Sequence, residues 1–171
     1  MSQRVPAALR RLVQARAHCR CEYCLIHEGD VHFPHQPDHV IAQKHRGPTH
    51  EDNLAWACYL CNLLKGSDIA SVDMETGQIV RLFNPRLDHW PEHFRLQDGQ
   101  IVPLTSVGRV TEYLLQFNQP QSVQERRWLI EAGRYSGVPP ADTERGSPGG
   151  HSGRSDMTGG GESVAGHPGG Q

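Results

Sequence analysis

Apolar side chains recur at Leu9, Leu12 and Val13 behind Pro6, the i, i+3, i+4 spacing of one helical face, and predict an amphipathic helix over 6–17. Arg10 and Gln14 fall on its wetter side. The run at 38–42 (DHVIA) predicts a short strand. Trp56 to Lys65, rich in Ala, Leu and Cys with Gly66 behind it, predicts a helix, and the stretch between the two is polar loop. Further on, turn signals at 74–77 (METG) and 98–99 (DG) are flanked by IVRLF, FRLQ and QIVPL, which predicts a few strands with at least two in a hairpin. Val107, Val110, Leu114 and Phe117 make one more helical stripe. Ser122 and Glu125, at capping-box spacing, open a last helix carrying Trp128, Leu129 and Ala132. The fold class that follows is α+β.

This patterning stops near Gly137. Residues 137–171 hold 11 Gly and 4 Pro and no Phe, Trp, Tyr, Leu or Ile, too little apolar surface to offset the backbone entropy of folding. They are expected to be a flexible Gly/Pro-rich tail, which leaves 1–136 to fold. No stretch reaches the roughly 18 consecutive apolar residues of a membrane span, and the N-terminus lacks the apolar core of a secretion signal, so a cytoplasmic protein without a membrane partner is expected. A net charge of −2 is not that of a globally basic nucleic-acid binder. The charge is uneven, however: Arg4, Arg10, Arg11, Arg16 and Arg20 lie in the first 20 residues with no acid among them.

An odd set of five cysteines without an export signal argues against disulfides. Cys21 and Cys24 form one CxxC pair and Cys58 and Cys61 a second, 33 residues on. Two such knuckles gather four thiolates around one tetrahedral zinc at little cost in loop entropy. Cys19 is left over. Between and after the knuckles stand Asp38-His39, Asn53, Asn62 and Lys65-Gly66. Phosphodiester hydrolysis needs a base for water and a cation for the phosphate. His39 suits the first task, because an imidazole is substantially neutral at pH 7. Asp38 and Asn62 together make a hard oxygen pair that favours Mg2+ or Mn2+ over zinc. Neighbours on a strand point to opposite faces, so Asp38 and His39 serve one site only at a bend or at a strand's end.

These residues carry a resemblance to a family. CEYC at 21–24, DHVIA at 38–42 and DNLAWACYLCNLLKG at 52–66 resemble the HNH endonucleases of the ββα-metal class. Residues 79–136, including LFNPRLDHWPEHF, are similar to the C-terminal part of a bacterial subset of such proteins, so the resemblance covers 1–136 as one domain. It implies a ββα-metal finger with two CxxC zinc knuckles, flanking helices and a small antiparallel hairpin. The implied activity is metal-dependent hydrolysis of DNA, by nicking or double-strand cleavage, leaving 5′-phosphate and 3′-hydroxyl ends. His39 would be the general base, Asn53 would pin the loop and help orient that base, and Asp38 and Asn62 would hold a catalytic Mg2+ or Mn2+ apart from the structural zinc. Asn62 stands where other members have His. DNA is the implied partner, and no protein partner is. Lys65, about one helical turn beyond Asn62, is a candidate for substrate phosphate. Arg46, where the family often has the first Gly of a pair, either binds phosphate or faces water. Ala42 replaces a frequent Pro. The rival reading is a zinc-knuckle module that binds nucleic acid without cutting, and a weaker third is a zinc-stabilised interaction domain.

Overall fold

Strand β1 (Gln36–His39) pairs antiparallel with β2 (Leu54–Ala57), setting Asp38 opposite Ala55 and His39 opposite Leu54, in the computed structural model, which describes residues 4–139. Every residue of β2 is buried because both faces of this pair are covered. Helix α1 (Ala7–Arg16) lays Val13, with Ala17 behind it, against Leu54 and Trp56 on one face. On the other, Ala55 and Ala57 join the larger core around Tyr23 and the cysteines. Cys58 then caps α2 (Tyr59–Lys65) by accepting the Cys61 N–H at its sulfur. The helix expected from Trp56 thus begins three residues later. A strand buried on both faces reads as a continuous apolar run, and such a run is indistinguishable by periodicity from a buried helix.

The strand expected over 38–42 likewise ends early. Val40 still donates to the Asn53 carbonyl at 2.9 Å, but a single 3-10 turn (Gln43–His45) follows. Arg46 closes that turn in the left-handed region, φ 67° and ψ 19°. Left-handed backbone costs a non-glycine residue about 1–2 kcal/mol, and glycine's own backbone entropy returns about 0.5–1 kcal/mol of that. Arg46→Gly is therefore expected to stabilise the protein by about 0.5–1 kcal/mol, read as an increase in urea midpoint at unchanged slope. Gly47, next in line, is buried under the loop it closes: a Cβ there would clash with the Ile41 carbonyl oxygen.

Beyond α2, strands β3 (Ala70–Val72) and β4 (Ile79–Arg81) form a hairpin across the 74–77 turn, and β5 (Phe94–Gln97) and β6 (Gln100–Pro103) form another across 98–99. The one-turn α3 (Trp90–His93) precedes β5. Helix α4 (Ser106–Leu115) is capped by Thr105 and carries Arg109, whose guanidinium grips buried Asp73 with two hydrogen bonds and so ties the first hairpin to the helix. That contact holds the Asp73 carboxyl down at about 2. Helix α5 (Pro120–Glu131) starts at its proline, not at Ser122, so the Ser122–Glu125 pair lies inside the helix and does not cap it. Its buried side chains are Val123 and Arg126, with Leu129 half-buried, whereas Trp128 is 63% exposed. Of Trp128, Leu129 and Ala132, Leu129 packs on the core, and Arg126 is drawn inward to the carbonyls of Gly99 and Phe117.

Phe83, Trp90, Phe94, Ile101, Phe117 and Tyr135 share one core with the four paired cysteines. Two polar contacts tie the late chain to the first knuckle: Trp90 Nε1 donates to the Tyr23 carbonyl at 2.9 Å and Tyr135 Oη to the Cys24 carbonyl at 2.6 Å. Most of the segment expected to be a flexible tail, residues 140–171, lies outside the described residues. Among the described residues no helix is long and apolar enough to cross a membrane.

Candidate active site and metal centre

The sulfurs of Cys21, Cys24, Cys58 and Cys61 all lie within 4.8 Å of one another, and all four residues are buried. Cys24 and Cys58, one from each knuckle, approach to 3.7 Å. Zinc–thiolate bonds of about 2.3 Å at tetrahedral angles put sulfur atoms about 3.8 Å apart, so the cluster has the dimensions of a tetrathiolate zinc site. Left to themselves, the thiols cannot all ionise: hydrogen bonding with Cys21 lowers Cys58 while raising Cys24 and Cys61 well above the ordinary thiol value. A divalent cation resolves that conflict, and the cluster fits structural zinc. Cys19 stands outside it, half-buried beside Glu28.

Asp38 points from β1 into the same core. Its Oδ2 accepts from Tyr23 Oη at 2.7 Å and faces Lys65 Nζ at 3.1 Å, and the carboxylate is 5% exposed. Burial raises its pKa, against the opposing pull of the Lys65 charge and the Tyr23 hydroxyl. Lys65, which the sequence offered to substrate phosphate, is only 1% exposed, and its ammonium also donates to the His39 carbonyl at 2.9 Å. That assignment is corrected: one turn beyond Asn62 the helix faces inward, and Lys65 neutralises Asp38. Removing one member of a buried ion pair strands the other charge, so Lys65→Met is expected to cost about 3–5 kcal/mol of unfolding free energy in a denaturant titration.

His39 leaves the strand in the other direction. Its Nε2 lies 2.9 Å from Thr49 Oγ1 and 3.3 Å from the Gln43 amide nitrogen, which itself donates to Thr49 Oγ1 at 2.9 Å. Partial burial lowers the His39 pKa; the neighbouring Asp38 carboxylate opposes this and Lys65 adds to it. Asn53, buried, spans the loop: its Oδ1 accepts from the Ile41 N–H, and its Nδ2 donates to the carbonyls of Ile41 and Pro48, all at 2.9 Å.

An open cleft of about 550 Å³ at this end of β1 is lined by Asp38, His39, Lys44, Asn62, Gly66 and Ser67. Because β1 stops at His39, two residues that face opposite sides of a strand both border it. Asn62 presents a half-exposed amide with no side-chain hydrogen bond to the described residues.

Residues 21–68 match the family model for HNH endonuclease. The matched segment runs from Cys21 to just past α2, and contains the cysteine cluster and the cleft residues named above. No curated protein and no solved structure matches the chain.

Within the matched segment several contributors were not read from sequence. Tyr23 lies inside the first knuckle as its third residue, an aromatic with a polar tip in an otherwise small motif, which was the available signal. Gln43 and Thr49 carried none, since a loop hydroxyl and amide are ordinary surface residues until the loop folds back. The lysine that borders the cleft is exposed Lys44. Arg46 is exposed and does not line it. Two arginines of the N-terminal helix are also committed elsewhere: Arg10 lies 5.0 Å over the Trp56 ring and donates to the His35 carbonyl, and Arg16 donates to the carbonyls of Glu51 and Leu54. They brace the β1–β2 pair, and Arg20 donates to the Leu25 carbonyl, so of the five arginines in the first 20 residues the exposed ones are Arg4 and Arg11.

Proposed function

We propose that the protein is a metal-dependent endonuclease of the HNH, ββα-metal type that hydrolyses DNA phosphodiester bonds, with residues 1–136 as its catalytic domain. The observation that carries this reading is the cleft at the end of β1, where the His39 imidazole, its pKa lowered by partial burial, borders the same space as the Asp38 carboxylate and the Asn62 amide.

The donor set suits a hard cation. The Asn62 amide oxygen is unengaged by side chains, and the Asp38 carboxylate has lone pairs beyond those used by Tyr23 and Lys65. Asp38 and Asn62 would hold Mg2+ or Mn2+, which when bound supplies charge neutralisation at the phosphate and stabilises the departing oxygen. His39 takes a proton from a water that attacks phosphorus. The new bond joins the water oxygen to phosphorus, the bond to the 3′ oxygen breaks, and that oxygen takes a proton from solvent water to become the 3′-hydroxyl, with the phosphate on the 5′ end. Lys44, exposed at the rim, offers its charge to a non-bridging oxygen. Asn53 keeps the base in place by holding both ends of the 41–48 loop. Zinc held by the four cysteines would tie α2 to the first knuckle, and the contacts of Lys65 with Asp38 and the His39 carbonyl set α2, and with it Asn62, against β1.

The test is incubation of zinc-loaded protein with supercoiled plasmid, with and without Mg2+ or Mn2+, and separation of nicked and linear forms on a gel. Products only with the divalent ion support the reading. Salt-sensitive DNA binding that ignores the ion, with no products, favours a non-cutting zinc-knuckle module instead, a reading that draws on the balanced charge of 1–136.

A further inference from the structure

We infer that Thr49 is the positioning residue of the His39 base, its hydroxyl oxygen accepting the imidazole Nε2–H so that Nδ1 is the bare nitrogen turned to water. The inference rests on the nuclease reading, since the contacts to Nε2 admit either tautomer and the need for a nitrogen open to water chooses between them. Two nitrogens converge on Thr49 Oγ1, His39 Nε2 at 2.9 Å and the Gln43 amide nitrogen at 2.9 Å. A hydroxyl oxygen has two lone pairs and accepts both. Neutral imidazole carries one N–H, and the partner of one ring nitrogen decides which of the two keeps it. With the proton on Nε2, Nδ1 is left as the acceptor, and it has no hydrogen-bond partner among the described residues. The opposite tautomer would aim the basic lone pair at Thr49 and the Gln43 amide, 3.3 Å away, where no water could be deprotonated.

The same geometry explains how Asn53 reaches the base. Its Nδ2 holds the Pro48 carbonyl at 2.9 Å, and Pro48 is bonded to Thr49, so the amide sets where the hydroxyl sits. The chain of command runs from Asn53 through the backbone to Thr49 and from Thr49 to the His39 ring. Spacing along the sequence hid it, because Thr49 is ten residues from His39 and reaches it only once the loop turns back over the strand end.

Nitrogen-15 NMR of the imidazole rings, on zinc-loaded full-length protein at a pH where His39 is neutral, reads the tautomer directly, with His39→Gln used to assign the signal. Wild type and Thr49→Ser are expected to show the proton on Nε2, and Thr49→Val a mixture of both tautomers. In the plasmid assay with Mn2+, Thr49→Val is expected to cut at least about tenfold more slowly, part of the 10²–10⁴ that a positioned base supplies, while Thr49→Ser retains cutting. Rescue by serine separates positioning from loop packing, since serine keeps the oxygen and discards the methyl. A wild-type ring protonated on Nδ1 overturns the inference whatever the variants do. So does a Thr49→Val protein whose tautomer and cutting both match wild type. A wild type that shows the expected tautomer and does not cut overturns the nuclease reading and the catalytic half of the inference with it.

Discussion

His39→Ala protein is expected to lose metal-dependent plasmid cutting by about 10²–10⁴-fold, the usual contribution of a positioned general base, while keeping its zinc and its circular dichroism. The fold should tolerate the change because the His39 side chain is only half-buried and its neighbours Gln43 and Thr49 remain bonded to each other at 2.9 Å. Wild-type cutting should also fall on acidification. Burial lowers the His39 pKa below the ordinary 6.5, so the neutral base predominates at pH 7 and is lost as pH drops through the lowered value. Gel quantification of nicked product against pH, together with metal analysis of both proteins, checks each part. Undiminished cutting by His39→Ala would remove His39 from the mechanism.

The second large effect is at the cysteine cluster. Cys58 serves twice, as one of the four clustered thiols and as the cap of α2, where its sulfur accepts the Cys61 N–H. Cys58→Ser keeps an oxygen at the cap and removes the soft thiolate, so it isolates the metal's share. Structural zinc contributes on the order of 10 kcal/mol to small zinc-binding peptides, more than most domains have in reserve. Cys58→Ser is therefore expected to lose stoichiometric zinc and cooperative thermal unfolding together, and treatment of wild type with a strong chelator should reproduce both. A Cys58→Ser protein that melts cooperatively near the wild-type temperature would show that the apolar core suffices without the metal.

The extent to which the site was legible follows from how far each signal reaches along the chain. Two cysteine pairs of fixed spacing describe their own geometry, since ligands three residues apart are already neighbours and only the two knuckles have to meet. Turn residues at 74–77 and 98–99 are just as local, and both hairpins formed across them. Asp38, His39 and Asn62 were picked out together by their order relative to the knuckles, and all three border one cleft. Lys65 was misjudged because its apparent neighbours were taken from the helix alone. Its actual partner, Asp38, is 27 residues away and buried with it.

The amino-acid sequence by itself determined the mixed α+β class, the set of four cysteines whose cluster fits structural zinc, and the hairpin turns, and it picked out Asp38, His39 and Asn62, which border one cleft. Each of these depends on residues that interact within a few positions of one another or on side-chain chemistry that no fold alters. Tertiary structure alone decided which of the charged groups face water. Covering β1 and β2 on both sides turned Leu54–Ala57 into a buried strand, drew Asp38, Tyr23 and Lys65 into one enclosed network, and committed Arg10 and Arg16 to backbone carbonyls. It also brought Thr49 back over the end of β1 to the His39 ring. Desolvation and long-range hydrogen bonding are properties of what packs against a residue, and that is written in segments distant along the chain.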